Sequence, residues 1–302
     1  MRNGLALICM AAVMWGTTGI IGKWLISNFQ MEPLAVGAWR LLFAAPLMLT
    51  INRFTRSSEK AVQPLNPSQK GLLLLFGIAL AGYQISYFSA VDRTMVSTAT
   101  LVTICMAPIW VHLCARFFLR ESWSGKTAIS LVIGVFGVTF LIGINSLKGL
   151  SNIDFLSGNI LSLVASCCYA GYTLAGKKLL DRVEPLRIIA GAFTVGAFLM
   201  LPFLKFPGPQ LEVWAVLLFL GWVPTTFAYI IYIKGLKQTK ATQASVAVLL
   251  EPLTATVLAV TFIGERLNSL GWIGVILLLV SLLLLSTNKK ENPPFTPLDG
   301  EV

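Results

Sequence analysis

Ten runs of apolar residues follow one another along the chain, each near the length needed to cross a lipid bilayer. A hydrocarbon core of about 30 Å takes about 20 apolar residues of helix. The runs fall at roughly 4–26, 34–52, 71–90, 97–118, 126–144, 157–177, 187–204, 212–233, 243–263 and 270–286. Backbone polar groups find no water inside lipid, so an open strand cannot span and each run must be helical. Charged residues make up 12% of the chain and apolar residues 56%. Soluble domains carry about 25% charge, so a sizeable water-soluble domain is excluded. The expected fold class is all-α integral membrane.

The separators are short and turn-like, among them Pro207-Gly208-Pro209, or charged, among them Asp92-Arg93. With the N-terminus on the cytoplasmic side, seventeen Lys and Arg fall on the inner side and four (Arg93, Lys148, Lys205, Arg266) on the outer. That bias places both termini inside, which requires an even number of spans. The net charge of +10 therefore orients the chain, and no basic patch is left over for nucleic acid. Trp24, Trp123, Trp214 and Trp272 fall near span ends, where interfacial anchors sit; Trp15, Trp110 and Trp222 do not. The start of the chain is read as a retained first helix, because its apolar run is too long for a signal-peptide core. Residues 288–302 cannot bury a core and are expected as a disordered cytoplasmic tail.

Five cysteines (9, 105, 114, 167, 168) all lie inside apolar runs with no metal-ligand spacing, so neither a metal nor a disulfide is expected. The chain has no Gly-rich phosphate loop ending in Gly-Lys-Ser/Thr, and no cofactor is expected.

The two halves repeat. Trp15-Gly-Thr-Thr-Gly-Ile-Ile-Gly-Lys23 lines up with Tyr169-Ala-Gly-Tyr-Thr-Leu-Ala-Gly-Lys177. Glu32-Pro33-Leu34 recurs as Glu184-Pro185-Leu186, Tyr87 and Thr94 as Tyr232 and Thr239, Ala107-Pro108 as Glu251-Pro252, and Glu121 as Glu265. The repeats are expected over 1–145 and 155–287. Five spans per half is odd, so the second half must enter the membrane from the opposite side. Two inverted five-helix repeats are the architecture of many secondary transporters.

The Trp15-Gly16 pair, Arg40-Leu-Leu-Phe-Ala, and the Pro-containing fourth and ninth spans followed by Arg120-Glu121 and Gly264-Glu265 resemble the EamA family of the drug/metabolite transporter superfamily. The likeness covers about residues 4–286. It implies a carrier for small organic solutes such as amino acids or amines, often in export. It also implies a multi-pass protein of the plasma membrane, the inner membrane in a bacterium. An intramembrane enzyme or a channel is the alternative; the one histidine and the absence of a ring of symmetric polar groups speak against both.

Charges inside a bilayer cost roughly 2.5–3.5 kcal/mol at a helix centre. Glu251 sits a third to half way along the ninth span and could bind a cationic group, take up a coupling proton, or pair with a neighbouring helix. Arg40 could meet an anionic substrate group or pair with Glu265, Asp92 or Glu251. Lys23 and its mate Lys177 could gate the two ends or snorkel to the interface. His112 could relay protons or simply pack. Buried Tyr and Trp carry donors that want partners. Trp15, Tyr83, Gln84, Tyr87, Tyr169, Tyr172, Trp222 and Tyr229 are therefore read as the lining of one central substrate site where spans 1, 3, 6 and 8 meet. Gly16, Gly19 and Gly22, Gly134 and Gly137, and Gly271 and Gly274 suit close helix packing or a dimer face, so the chain is expected as a monomer or homodimer.

Overall fold

A computed structural model describes residues 2–55, 64–122, 124–264 and 266–287. Trp123, Glu265 and the tail from residue 288 lie outside the described residues. Ten helices are long and apolar enough to cross a membrane: α1 (Asn3–Phe29), α2 (Pro33–Phe54), α3 (Pro67–Val91), α4 (Val96–Phe118), α5 (Gly125–Ile142), α6 (Ile153–Leu179), α7 (Pro185–Phe203), α8 (Leu211–Gln238), α9 (Ala241–Phe262) and α10 (Ser269–Ser286). No strand occurs among the described residues. Proline opens α2, α3 and α7 at the first helical position, where its missing N–H costs nothing. Asn66 caps α3 in a reciprocal box with Gln69.

The outside of the bundle is apolar. Phe117, Phe262, Leu211 and Leu283 are among many large side chains left exposed, an apolar surface of the kind that lipid covers. Inside, the halves interlock. Helix α1 packs on α8 and α9, while α6 packs on α3 and α4; α2 and α7 pack on each other, on α8 and on α3 respectively; α5 packs on α10. Exchanging spans 1–5 with 6–10 leaves this set of neighbours unchanged.

Helices α5 and α10 approach each other backbone to backbone. A Cβ on Gly274 would lie 2.6 Å from the Leu141 amide nitrogen and 2.7 Å from the Gly137 carbonyl oxygen, and backbone atoms cannot move aside as a side chain can. Gly274→Leu is therefore expected to pry the pair apart and lower stability by about 1–3 kcal/mol, seen as a lower melting temperature in detergent. Gly16 likewise faces Thr254 and the Glu251 carbonyl, but Gly19 and Gly22 have no described atom within 4 Å of a Cβ. The expected close packing along α1 thus stops half way.

Two helices break their hydrogen-bond ladders. In α8, Pro224 sits in a π-helical segment, Trp222–Phe227. The freed carbonyls are met by side chains: Thr225 Oγ1 donates to Leu220 O (2.6 Å) and Thr226 Oγ1 to Gly221 O (2.9 Å). In α9, the α-helix Ala241–Ala247 stops and Leu250–Leu258 resumes, with tightened bonds from Leu249 N to Val246 O and from Glu251 N to Val248 O between them. Pro252, which has no N–H to give, follows at once.

Candidate functional site

All six tyrosines of the chain gather with Trp15 in one cluster at the middle of the bundle. Ring centroids lie 4.9 Å apart for Trp15–Tyr229 and Tyr169–Tyr172, 5.1 Å for Trp15–Tyr232, 6.1 Å for Tyr83–Tyr87 and 6.3 Å for Tyr83–Tyr169. Helices α1, α3, α6 and α8 each contribute. Some hydroxyls are bonded: Tyr87 pairs with Thr100 of α4 (2.8 Å) and Tyr232 faces Thr173 (3.4 Å). Others are not. Trp15 Nε1, Thr18 Oγ1 and the Tyr169 hydroxyl are buried without a hydrogen-bond partner. Such groups cost free energy unless something satisfies them. Trp15 and Tyr169 are repeat mates, so the two halves leave the same position unpaired.

A cavity adjoins this cluster, lined by Tyr83 and Tyr169, by Thr103, Ile104 and Pro108 of α4, and by Ser245 and Glu251 of α9. Pro108 lacks the N–H that would bond Ile104 O, so the α4 wall offers a backbone acceptor. Glu251 is partly buried, and no hydrogen bond or ion pair holds its carboxylate among the described residues.

Arg40 of α2 is buried at 9% exposure. Its Nε donates to Thr225 Oγ1 at 3.2 Å, so the π segment of α8 serves to hold the arginine. Arg40, Tyr83, Tyr229 and Glu251 lie within electrostatic range of one another. No ion pair joins Arg40 to Glu251 or to Asp92, and the structural pairings weighed for Arg40 are therefore not made among the described residues. The two opposite charges instead share Tyr83 and Tyr229 as neighbours within electrostatic range and do not pair.

Not every residue read from the sequence joins this group. Trp222, the first residue of the π segment, is 44% exposed on the outside of the bundle; it does not line the cavity. Trp222→Ala is expected to leave transport within about twofold, as for other surface changes, measured as initial uptake rate. Gln84 is buried against Gly37 of α2. His112 bonds Pro108 O through Nδ1 (3.2 Å) and sits in a separate crevice between α4 and α5. Lys23 is exposed near the end of α1. Glu265, the last of the charge candidates, is outside the described residues.

Comparison with known proteins places this geometry. The sequence matches the EamA-like transporter family over residues 2–143 and again over 156–287. The chain belongs to that family. Similar proteins include "uncharacterized transporter YwfM" of Bacillus subtilis, 31% identical over 94% of both chains. An "uncharacterized transporter" of Clostridium kluyveri is 28% identical over 97% of this chain and 96% of its own. "Uncharacterized inner membrane transporter YicL" of Salmonella typhimurium is 23% identical over 96% and 97%. A solved structure described as "crystal structure of protein" superposes with a TM-score of 0.78 at 18% identity, covering 94% of this chain and 98% of that one. It has the same fold.

This EamA-family chain is a multi-pass membrane transporter. Two of its site features escaped the reading of the residues. Thr225 was legible only through Pro224-Thr225-Thr226, a proline inside a span followed by two hydroxyls able to bond freed carbonyls. Tyr232 was visible as a repeat mate, yet nothing in its spacing separated a packing ring from a lining one.

Proposed function

We propose that this transporter is a secondary active carrier for a small amine-bearing metabolite, with a zwitterionic amino acid fitting best. The observation that carries this reading is the separation of Arg40 and Glu251. Two opposite charges within electrostatic range, unpaired with each other and both within range of Tyr83 and Tyr229, suit a ligand bearing both charges. Its ammonium group would meet Glu251 and the faces of Tyr83 and Tyr169, a cation–π contact worth about 0.5–2 kcal/mol. Its carboxylate would meet the Arg40 guanidinium. Glu251 would also take a proton once the ammonium leaves, which couples solute to proton.

Alternating access is the proposed mechanism. The duplicated family match, the exchange-symmetric packing and five spans per half support an inverted repeat, in which each half can adopt the shape of the other. The Lys and Arg bias supports cytoplasmic termini and a plasma-membrane location.

Proteoliposomes test the reading. A carrier preloaded with unlabelled amino acid is expected to show saturable counterflow of the labelled form. Flux that never saturates, with unit conductances in planar bilayers, would make the protein a channel.

A further inference from the structure

At the end where α1 starts, the α8–α9 turn is tied down from several directions. Glu121, in the α4–α5 linker, is a carboxylate only 6% exposed. It accepts from the Ala241 amide (2.6 Å), the Thr242 amide (3.2 Å) and the Thr242 hydroxyl (2.9 Å), the first turn of α9. Lys177, at the end of α6, donates to Leu236 O (2.8 Å) in the last turn of α8 and to Thr239 O (2.6 Å) just past it. A negative charge thus sits on a helix N-terminus and a positive one on a helix C-terminus, each with the sign that the backbone dipole favours. The two are within electrostatic range of each other. Arg120, just before the carboxylate, holds φ at +53°, a left-handed conformation rare for a non-glycine residue. That turn aims Glu121 inward.

The stretch of α6 that carries Lys177 is packed where the matching glycines of α1 are not. Thr173 and Gly176 on α6 are buried, and a Cβ on Gly176 would lie 3.0 Å from Phe76. Their counterparts on α1, Gly19 and Gly22, have no described atom within 4 Å.

We propose that Glu121 and Lys177 form a latch that closes the α1-start end of the cavity by holding the α8–α9 turn, and that its release opens that end. The cavity wall of α9, Ser245 to Glu251, hangs from the latched turn. Ala241 and Glu251 are about 15 Å apart along the helix rise, so freeing the turn frees the wall. The proposal rests on the carrier reading above and adds the residues that set its conformation.

The test follows the reaction of a Ser245→Cys thiol with a membrane-impermeant maleimide. Vesicles of either orientation are used, and labelling of the parent chain, with its five native cysteines, is subtracted. Glu121→Gln and Lys177→Met are each expected to raise labelling from the latch side about tenfold or more, the scale of losing charge-assisted hydrogen bonds, and to lower it from the other side. Unchanged latch-side labelling would overturn the latch. So would a rise from both sides, which marks a loosened fold. The converse experiment links the same surfaces: a disulfide bridge made through a short bis-methanethiosulfonate spacer between Ser122→Cys and Lys240→Cys, a length matched to the lysine whose Nζ meets Ser122 Oγ at 2.8 Å, is expected to hold latch-side labelling at background until reduced. Labelling through the closed disulfide would refute the proposal even if the Glu121 variant failed to fold. A Ser245→Cys thiol labelled equally from both sides without any latch variant would instead remove the carrier reading itself.

Discussion

Glu251→Gln is expected to abolish proton-driven uptake, with a loss of more than about hundredfold, while solute exchange falls only about tenfold. The difference follows from what an amide keeps and what it loses. Glutamine keeps an oxygen that accepts a hydrogen bond from an ammonium group, although a neutral acceptor is weaker than a charged one by roughly 1–2 kcal/mol. It cannot bind and release a proton, so the step that ties solute to the gradient disappears. Position makes the residue suited to both tasks. The carboxylate lines the cavity with Tyr83 and Tyr169, just past the tightened bonds at Val246–Leu249 and Val248–Glu251, where α9 changes course. Imposed pH gradients and counterflow, measured on the same proteoliposomes, separate the two rates. Equal loss of both would leave Glu251 a binding or structural residue with no part in coupling.

The large features of this fold were legible because the bilayer restricts the alternatives so severely. Ten apolar runs could only be helices, and the ten observed helices begin and end within a few residues of those runs. The aromatic cluster was legible for a related reason: Trp15, Tyr83, Tyr169 and Tyr229 carry donors that lipid cannot satisfy, so they turn inward. Trp222 misled because the same logic assumes regular helical periodicity. A π segment from Trp222 to Phe227 widens the turn, so the face read from 3.6-residue spacing does not carry Trp222 and Tyr229 together into the core. Glu121 was legible as a repeat mate of Glu265 and as part of Arg120-Glu121, without a task attached. Its task depends on a turn more than a hundred residues further along the chain, and no local spacing encodes that meeting. Glycine spacing was informative for α5 and α10 but not for the second half of α1, where Gly19 and Gly22 face open space. A small residue records that close approach is permitted, and which conformation uses it is not written in the spacing.

Arg40→Lys is expected to impair transport of carboxylate-bearing substrates about 10- to 100-fold, chiefly through KM, although the charge is kept. The guanidinium is fixed by its Nε bond to Thr225, and that bond leaves the terminal nitrogens without a hydrogen-bond partner among the described residues. A planar fork held in this way can meet a carboxylate with two parallel bonds. Lysine presents a single mobile point charge and loses both the anchor and the second bond. Thr225→Val should reproduce part of the defect by removing the anchor alone, with no change of charge anywhere in the site. The decisive comparison is between substrates. An amine that lacks a carboxylate does not need the fork, so its transport by Arg40→Lys should stay within a few-fold of the parent. If Arg40 served only to hold α2 against α8, both substrates would suffer alike and the melting temperature of the purified protein would fall with them. A loss confined to the carboxylated substrate, at an unchanged melting temperature, assigns the guanidinium to the ligand.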